Sequence, residues 1–239
     1  MADDVSFLTY LQQEQQIALF PRLPMIFKAA RFQTTLFNDV FFEQQSVNLP
    51  PQRSQAVIKR RSEYFAGRYL AQQAMAEFGH KEFVLEADQN RCPLWPEGLR
   101  GSISHSDDFA ICVLARAGDY FAVGIDVQSW MEELPARRLA TRILNDEEMT
   151  LAETCPAPLA KMISLCFSAK ESIFKGLYPH IGRHFGYSSA RLSRIDWSEE
   201  LFYFDFDADL RPSGLSGAPL AVHFRLQAER GTTLMALPQ

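Results

Sequence analysis

Apolar positions recur at helical spacing through 158–179, where Leu159, Met162, Ile163, Cys166, Ile173, Phe174 and Leu177 form one stripe at roughly 100° per residue. That pattern predicts a helix packed on a core. Lys170 falls in the middle of the stripe, and Glu171 and Lys175, spaced i and i+4, lie on its flank. A second helical pattern runs over 53–78 through Ile58, Phe65, Tyr69, Leu70, Ala74 and Met75, with Gly79 as its stop. A polar, Gln-rich helix is expected near 10–16. Further helices are expected over 132–152, broken near Leu144, where Asn145 and Glu148 make a capping box.

Strand character marks 35–42, 82–86, 101–105, 109–116, 120–127, 185–192, 201–206, 220–226 and 233–237. The short turns between 101 and 127 suggest an antiparallel meander of three strands, which would set His105 and Asp126 near one another. Alternation in the third strand places Ile125 and Val127 on one face and Asp126 and Gln128 on the other. Helix then meander gives way near residue 122 to helix then strands, which divides the chain into 1–122 and 123–239.

Composition narrows the function. The chain has 239 residues, 47% hydrophobic and 22% charged, enough for a packed core. A net charge of -5 argues against a nucleic-acid-binding surface, whose footprint is strongly basic. The acidic start and the lack of an apolar run of membrane-spanning length point to a cytoplasmic protein with no transmembrane segment. Four cysteines form no C-x-x-C pair, so neither disulfides nor a zinc site is expected.

The candidate chemistry is carried by charge in apolar surroundings. Lys170 must be paired, bound to a ligand or neutralised, because burying a bare ammonium costs several kcal/mol. Taken alone, Lys170 with Glu171 and Lys175 reads more simply as a snorkelling lysine beside an i,i+4 salt bridge. Lys59, Arg60, Arg61 and Arg68 on one helix are either a solvated face or a phosphate site. A Pro- and Gly-rich loop carries Arg91, the next strand carries Ser104 and His105, and Asp126 sits late in the third. Singly these are core or turn residues. Together they are the parts needed to hold a polyphosphate with a divalent cation.

In their order and spacing, four motifs closely resemble the 4'-phosphopantetheinyl transferase superfamily, in its larger monomeric kind serving siderophore and nonribosomal peptide synthesis. They are A-G-R at 66–68, R-C-P-L-W-P-x-G-x-x-G-S-I-S-H-S at 91–106, G-I-D at 124–126 and F-S-A-K-E-S-x-F-K-x-L-Y-P at 167–179. The resemblance covers roughly residues 55 to 190. It implies two similar α+β halves related by a pseudo-twofold, with coenzyme A in the cleft between them. The implied reaction moves 4'-phosphopantetheine from coenzyme A to a serine of an apo carrier protein and releases adenosine 3',5'-bisphosphate.

Carried onto this sequence, Asp126 and Glu171 are the implied Mg²⁺ ligands, with Glu171 also the general base. Lys175 contacts the phosphates. Arg68, Arg91, Ser104, His105 and Lys170 bind coenzyme A, Arg91 and His105 near its 3'-phosphate. One position departs: the common G-I-D-x-E has its second carboxylate where this chain has Gln128, which would hold the metal through a water or not at all.

Two other functions fit the same residues. A metal-dependent phosphohydrolase could use the Asp and Glu pair against water, and a non-catalytic carrier-binding module could keep the fold without the metal. A serine hydrolase on Ser102 or Ser104 lacks the G-x-S-x-G elbow. His180 and His184 have metal-pair spacing, but Pro179 precedes them and Gly182 separates them, so they read as structural. As a cation in an apolar stripe, Lys170 would be replaceable by Met with a gain in stability.

Overall fold

The computed structural model describes residues 7–13, 19–20 and 23–239. They divide into two compact units, Met1–Arg116 and Ala117–Gln239.

In the first unit, strands β1 (Leu11–Gln13), β2 (Ile26–Phe32), β3 (Leu99–Ser106) and β4 (Phe109–Arg116) form an antiparallel sheet in the order β1-β2-β4-β3. Two short helices, α1 (Val40–Gln44) and α2 (Pro51–Ser54), precede the long helix α3 (Ile58–Glu77). Helix α3 sends Phe65, Leu70, Ala74 and Met75 into a core shared with Phe32, Cys112 and Leu114. Phe65 is its hub, with six aromatic ring centroids at 5.2 to 6.1 Å. The helix stops as Gly79 implied: Gly79 takes φ 87°, its N–H donates to Ala76 O, and the His80 N–H donates to Met75 O.

Several expectations fail here for identifiable reasons. Of the helix expected over 10–16, Leu11–Gln13 is a strand and residues 14–16 lie outside the described residues. The strand expected over 35–42 is a 3₁₀ turn followed by α1, because the Asn38 side chain accepts the Val40 N–H and Phe37, Phe41 and Phe42 bury at helical spacing. No strand forms over 82–86. Its Leu85 and Glu86 carbonyls accept from the Arg68 guanidinium, and the Glu86 carbonyl also from the Leu94 N–H, so no strand ladder forms. Strand β2, which pairs with β4 through six residues, carried too little alternation to be read.

The second unit begins with β5 (Tyr120–Ser129), continues through α4 (Glu133–Ile143), α5 (Asp146–Glu153) and α6 (Leu159–Ile181), and ends in β6 (Ala190–Asp196), β7 (Leu201–Phe206), β8 (Leu220–Leu226) and β9 (Arg230–Pro238). The sheet order is β5-β9-β8-β7-β6. The expected three-strand meander is therefore only a β3-β4 hairpin, and β5 pairs with β9 in the other sheet. Residues 122–127 of β5 are all buried, so the strand needs cover on both faces, which the alternation argument did not allow for. Strand pairing thus does not join His105 to Asp126.

Helix α6 runs beyond the expected stop, through Pro179 to Ile181, and ends at Gly182 with φ 71°. The strand expected over 185–192 begins only at Ala190, after a 3₁₀ turn at Tyr187–Ser189. The capping box at Asn145 forms as expected, with both reciprocal bonds at 2.8 Å.

One topological scheme recurs. In each unit a strand leads to a long helix, then to antiparallel strands, the last of which pairs back onto the first. This is the α+β class that the family resemblance implied. Among the described residues, no helix is long and apolar enough to cross a membrane.

Candidate active site

The glycine of G-I-D is required by packing. A Cβ at Gly124 would lie 2.0 Å from Ser172 O and 2.6 Å from Gly176 N, and one at Gly176 would lie 3.1 Å from Gly124 N. Two glycines therefore let the backbones of β5 and α6 cross in contact. The crossing sets Asp126, two residues beyond Gly124, against the last turns of α6.

Its product is a compact charge cluster. Lys175 Nζ donates to Asp126 Oδ1 at 2.6 Å, with the Asp126 side chain 9% exposed and that of Lys175 27%. Glu171, one turn before Lys175, accepts the Tyr187 O–H on Oε1 at 2.7 Å. Burial first, then the bond to Glu171 and the charges of Glu171 and Asp126, push the Tyr187 phenol well above its ordinary value. The phenol thus senses both carboxylates and stays a proton donor at neutral pH. Beside it lies a hollow of about 290 Å³ bordered by Glu171, Phe174, His184, Phe185 and Tyr187, with His184 stacked on Phe174.

Lys170 is held within the protein. It is 2% exposed, and its Nζ contacts Glu148 Oε1 at 2.7 Å while donating to Ile143 O at 2.6 Å and Tyr187 O at 3.1 Å. Those partners account for all three of its donors. Burial lowers its pKa and the Glu148 carboxylate works against that shift. Glu148 is itself 2% exposed and accepts the Leu192 and Asn145 N–H groups, each at 2.8 Å. Lys170 thus forms a buried bridge joining α6, the α5 N-terminus, β6 and the turn that carries Tyr187, and it also borders the hollow beside Tyr187.

Gln128 spends its side-chain N–H on the carbonyl of its neighbour Ser129 at 3.0 Å. Among the described residues, no group of three or more His, Cys, Asp or Glu side chains could hold a metal ion. The donor set at the β5-α6 crossing is therefore two carboxylates of hard oxygen. It suits a cation that takes one or two carboxylates and completes its shell from phosphates and water, and it does not suit an all-protein cage. His180 stacks on Phe121 with centroids 4.2 Å apart, and His184 on Phe174, so these two serve aromatic packing.

The other predicted residues belong to the first unit. Arg68, 8% exposed, lies over the Tyr64 ring, as does Arg53, and donates to Leu85 O and Glu86 O. Burial lowers its pKa. Arg91 is exposed, with φ 69°, in a tight loop where Asp88 Oδ1 accepts the Asn90 and Cys92 N–H groups. Ser104 is buried. His105 Nδ1 stands 3.8 Å from Glu63 Oε2, and Glu63 is 3% exposed.

Sequence reasoning did not single out Tyr187, nor Glu148 as the partner of Lys170. Glu148 was seen only as a cap, whereas its role as the buried partner of Lys170 depends on tertiary packing. Tyr187 was placed in a strand, and no pattern signals a single tyrosine turned onto a distant carboxylate.

Comparison with known proteins gives the family. Residues 43–115 match the 4'-phosphopantetheinyl transferase N-terminal domain, and residues 122–222 match the 4'-phosphopantetheinyl transferase superfamily. Enterobactin synthase component D of Salmonella austin is 32% identical over 181 residues, 74% of this chain and 74% of that protein. The protein of that name from Salmonella typhi is 34% identical over 138 residues, 58% of this chain and only 56% of the relative's length. The 4'-phosphopantetheinyl transferase Svp of Streptomyces mobaraensis is 34% identical over 141 residues, 59% and 57% of the two chains. The chain belongs to the 4'-phosphopantetheinyl transferase superfamily.

Proposed function

We propose that this protein transfers the 4'-phosphopantetheine group of coenzyme A to a serine of an apo carrier protein, in siderophore or nonribosomal peptide synthesis. The observation that carries this reading is the cluster of Asp126, Glu171 and Lys175 at the crossing of β5 and α6, in a chain of this family. The serine oxygen bonds to the phosphorus that bears pantetheine. The bond from that phosphorus to the bridging oxygen breaks, its electron pair leaves on adenosine 3',5'-bisphosphate, and the serine proton passes to Glu171.

The Tyr187 O–H occupies one Glu171 oxygen and leaves the second to take that proton. Lys175 offsets negative charge where the transferred phosphoryl group is attacked. Asp126 and Glu171 would hold Mg²⁺, with Gln128 reaching it through water. When bound, the ion neutralises pyrophosphate charge during transfer. The hollow bordered by Glu171, Phe174, His184, Phe185 and Tyr187 is of a size to take the pantetheine arm. Arg68, Arg91, Ser104 and His105 are proposed to bind the nucleotide portion, Arg91 and His105 at its 3'-phosphate.

The test is intact mass of an apo carrier protein incubated with this protein, coenzyme A and Mg²⁺. A gain of one phosphopantetheine per carrier supports the reading. Hydrolysed coenzyme A beside unmodified carrier would favour a phosphohydrolase.

A further inference from the structure

Between α6 and β9 lies a chain of three fully buried hydroxyls. Ser168 Oγ is 2.9 Å from Thr233 Oγ1, Thr233 Oγ1 is 2.7 Å from Ser172 Oγ, and Ser172 Oγ donates to Thr233 O at 3.0 Å. All three residues are 0% exposed. With Ser172 donating to the carbonyl, Thr233 must donate to Ser172 and Ser168 to Thr233. Each proton is used once, in one direction.

The chain sits at a telling place. Thr233 is the register partner of Asp126 in the β5-β9 ladder, and Ser172 directly follows Glu171. The Gly124 and Gly176 contact sets how near α6 comes to β5, but two glycine surfaces can slide. Directional bonds from two successive turns of α6 to one residue of β9 fix the helix in rotation and along its axis. A buried hydroxyl without its bond is unfavourable, so any slip of the helix is opposed.

We infer that Thr233 is a positioning residue: its hydroxyl holds Glu171 and Lys175 in step with Asp126. The inference rests on the transfer reaction proposed above. Its test compares Thr233→Val, which keeps shape and removes the hydroxyl, with Thr233→Ser, which keeps the hydroxyl and removes the methyl.

Three quantities are measured: kcat for carrier modification, Mn²⁺ binding to the protein from loss of the free-ion paramagnetic signal, and melting temperature. Thr233→Val lowers kcat about tenfold or more, because displacement of positioned groups by a fraction of an ångström slows chemistry steeply, and it weakens Mn²⁺ binding. Thr233→Ser stays near wild type in both, whatever its melting temperature. Wild-type kcat and Mn²⁺ binding in Thr233→Val would overturn the inference, as would equal impairment of the two variants, which would assign the effect to methyl packing.

If Thr233→Val does not fold, Ser168→Ala carries the same test by removing the first hydroxyl of the chain. A lower kcat with weaker Mn²⁺ binding is expected, and no change in either overturns the inference. Absence of carrier modification by the wild-type protein is the failure of the proposed reaction. In that event Mn²⁺ binding alone still decides whether the hydroxyl positions the carboxylates.

Discussion

At the scale of residues, the division of labour along one turn of α6 is sharp. Lys170 points into protein, while Glu171 and Lys175 stand at the cluster. Alanine at either Glu171 or Lys175 is expected to lower kcat/KM by about two orders of magnitude or more, read from initial rates of carrier modification. Glu171→Ala leaves the melting temperature near wild type. Lys175→Ala lowers it, because it removes a cation from a carboxylate that is only 9% exposed.

Lys170→Met reverses the expectation drawn from the apolar stripe. It leaves Glu148 charged and buried without its lysine, so it destabilises by about 3–5 kcal/mol in denaturant unfolding. The sequence made the burial of Lys170 legible. It could not reveal the partner, because Glu148 lies in another helix. Gln128→Glu supplies the carboxylate common at that position and is expected to lower the Mg²⁺ concentration for half-maximal activity, leaving the saturated rate within a few-fold. Superimposable Mg²⁺ titrations would exclude Gln128 from the site.

At the scale of elements, function depends on how closely β5 and α6 approach. A methyl group at Gly124 would meet a backbone oxygen at 2.0 Å, which no rotamer change can relieve. Gly124→Ala is therefore expected to cost about 1–3 kcal/mol, as overpacked cores do, and to lower kcat more than Ala substitutions on the exposed face of α6. Chemical denaturation and initial rates measure the two effects.

Helix α6 and the capping box of α5 were legible because periodicity and short-range bonds define them. The partner of β5 was not. Proximity along the chain favoured β4, whereas the pairing with β9 is decided by packing more than a hundred residues away. For the same reason 82–86 misled: its residues favour a strand, but the Leu85 and Glu86 carbonyls accept from the Arg68 side chain and from Leu94 of the adjoining loop rather than from a strand ladder.

For the whole molecule, phenols in both units couple stability to pH. Tyr10 and Tyr69 in the first unit and Tyr120 and Tyr187 in the second are raised above the ordinary value of 10.0, burial being the largest cause in each. An acid whose pKa is higher folded than unfolded stays protonated in the folded chain while the unfolded chain ionises. Stability is then fully present below about pH 10 and falls as pH rises beyond it. Melting temperature against pH should decline from that point, and Tyr187→Phe should flatten the decline. The same variant should lower kcat several-fold at neutral pH by releasing Glu171 from its hydrogen bond.

The family and the α+β class were readable because short motifs carry the resemblance. The recurrence of one strand-helix-strand scheme was implied by that resemblance alone, since the two units share topology without a visible repeat in sequence.

The central claim is a coupled transfer, and its stoichiometry is the most direct measurement. Adenosine 3',5'-bisphosphate released and carrier protein modified should be quantified in one reaction, with Mg²⁺ and with a chelator. The account predicts one nucleotide released per phosphopantetheine gained, and neither product when metal is removed. Nucleotide release that continues at the same rate without carrier protein would contradict it.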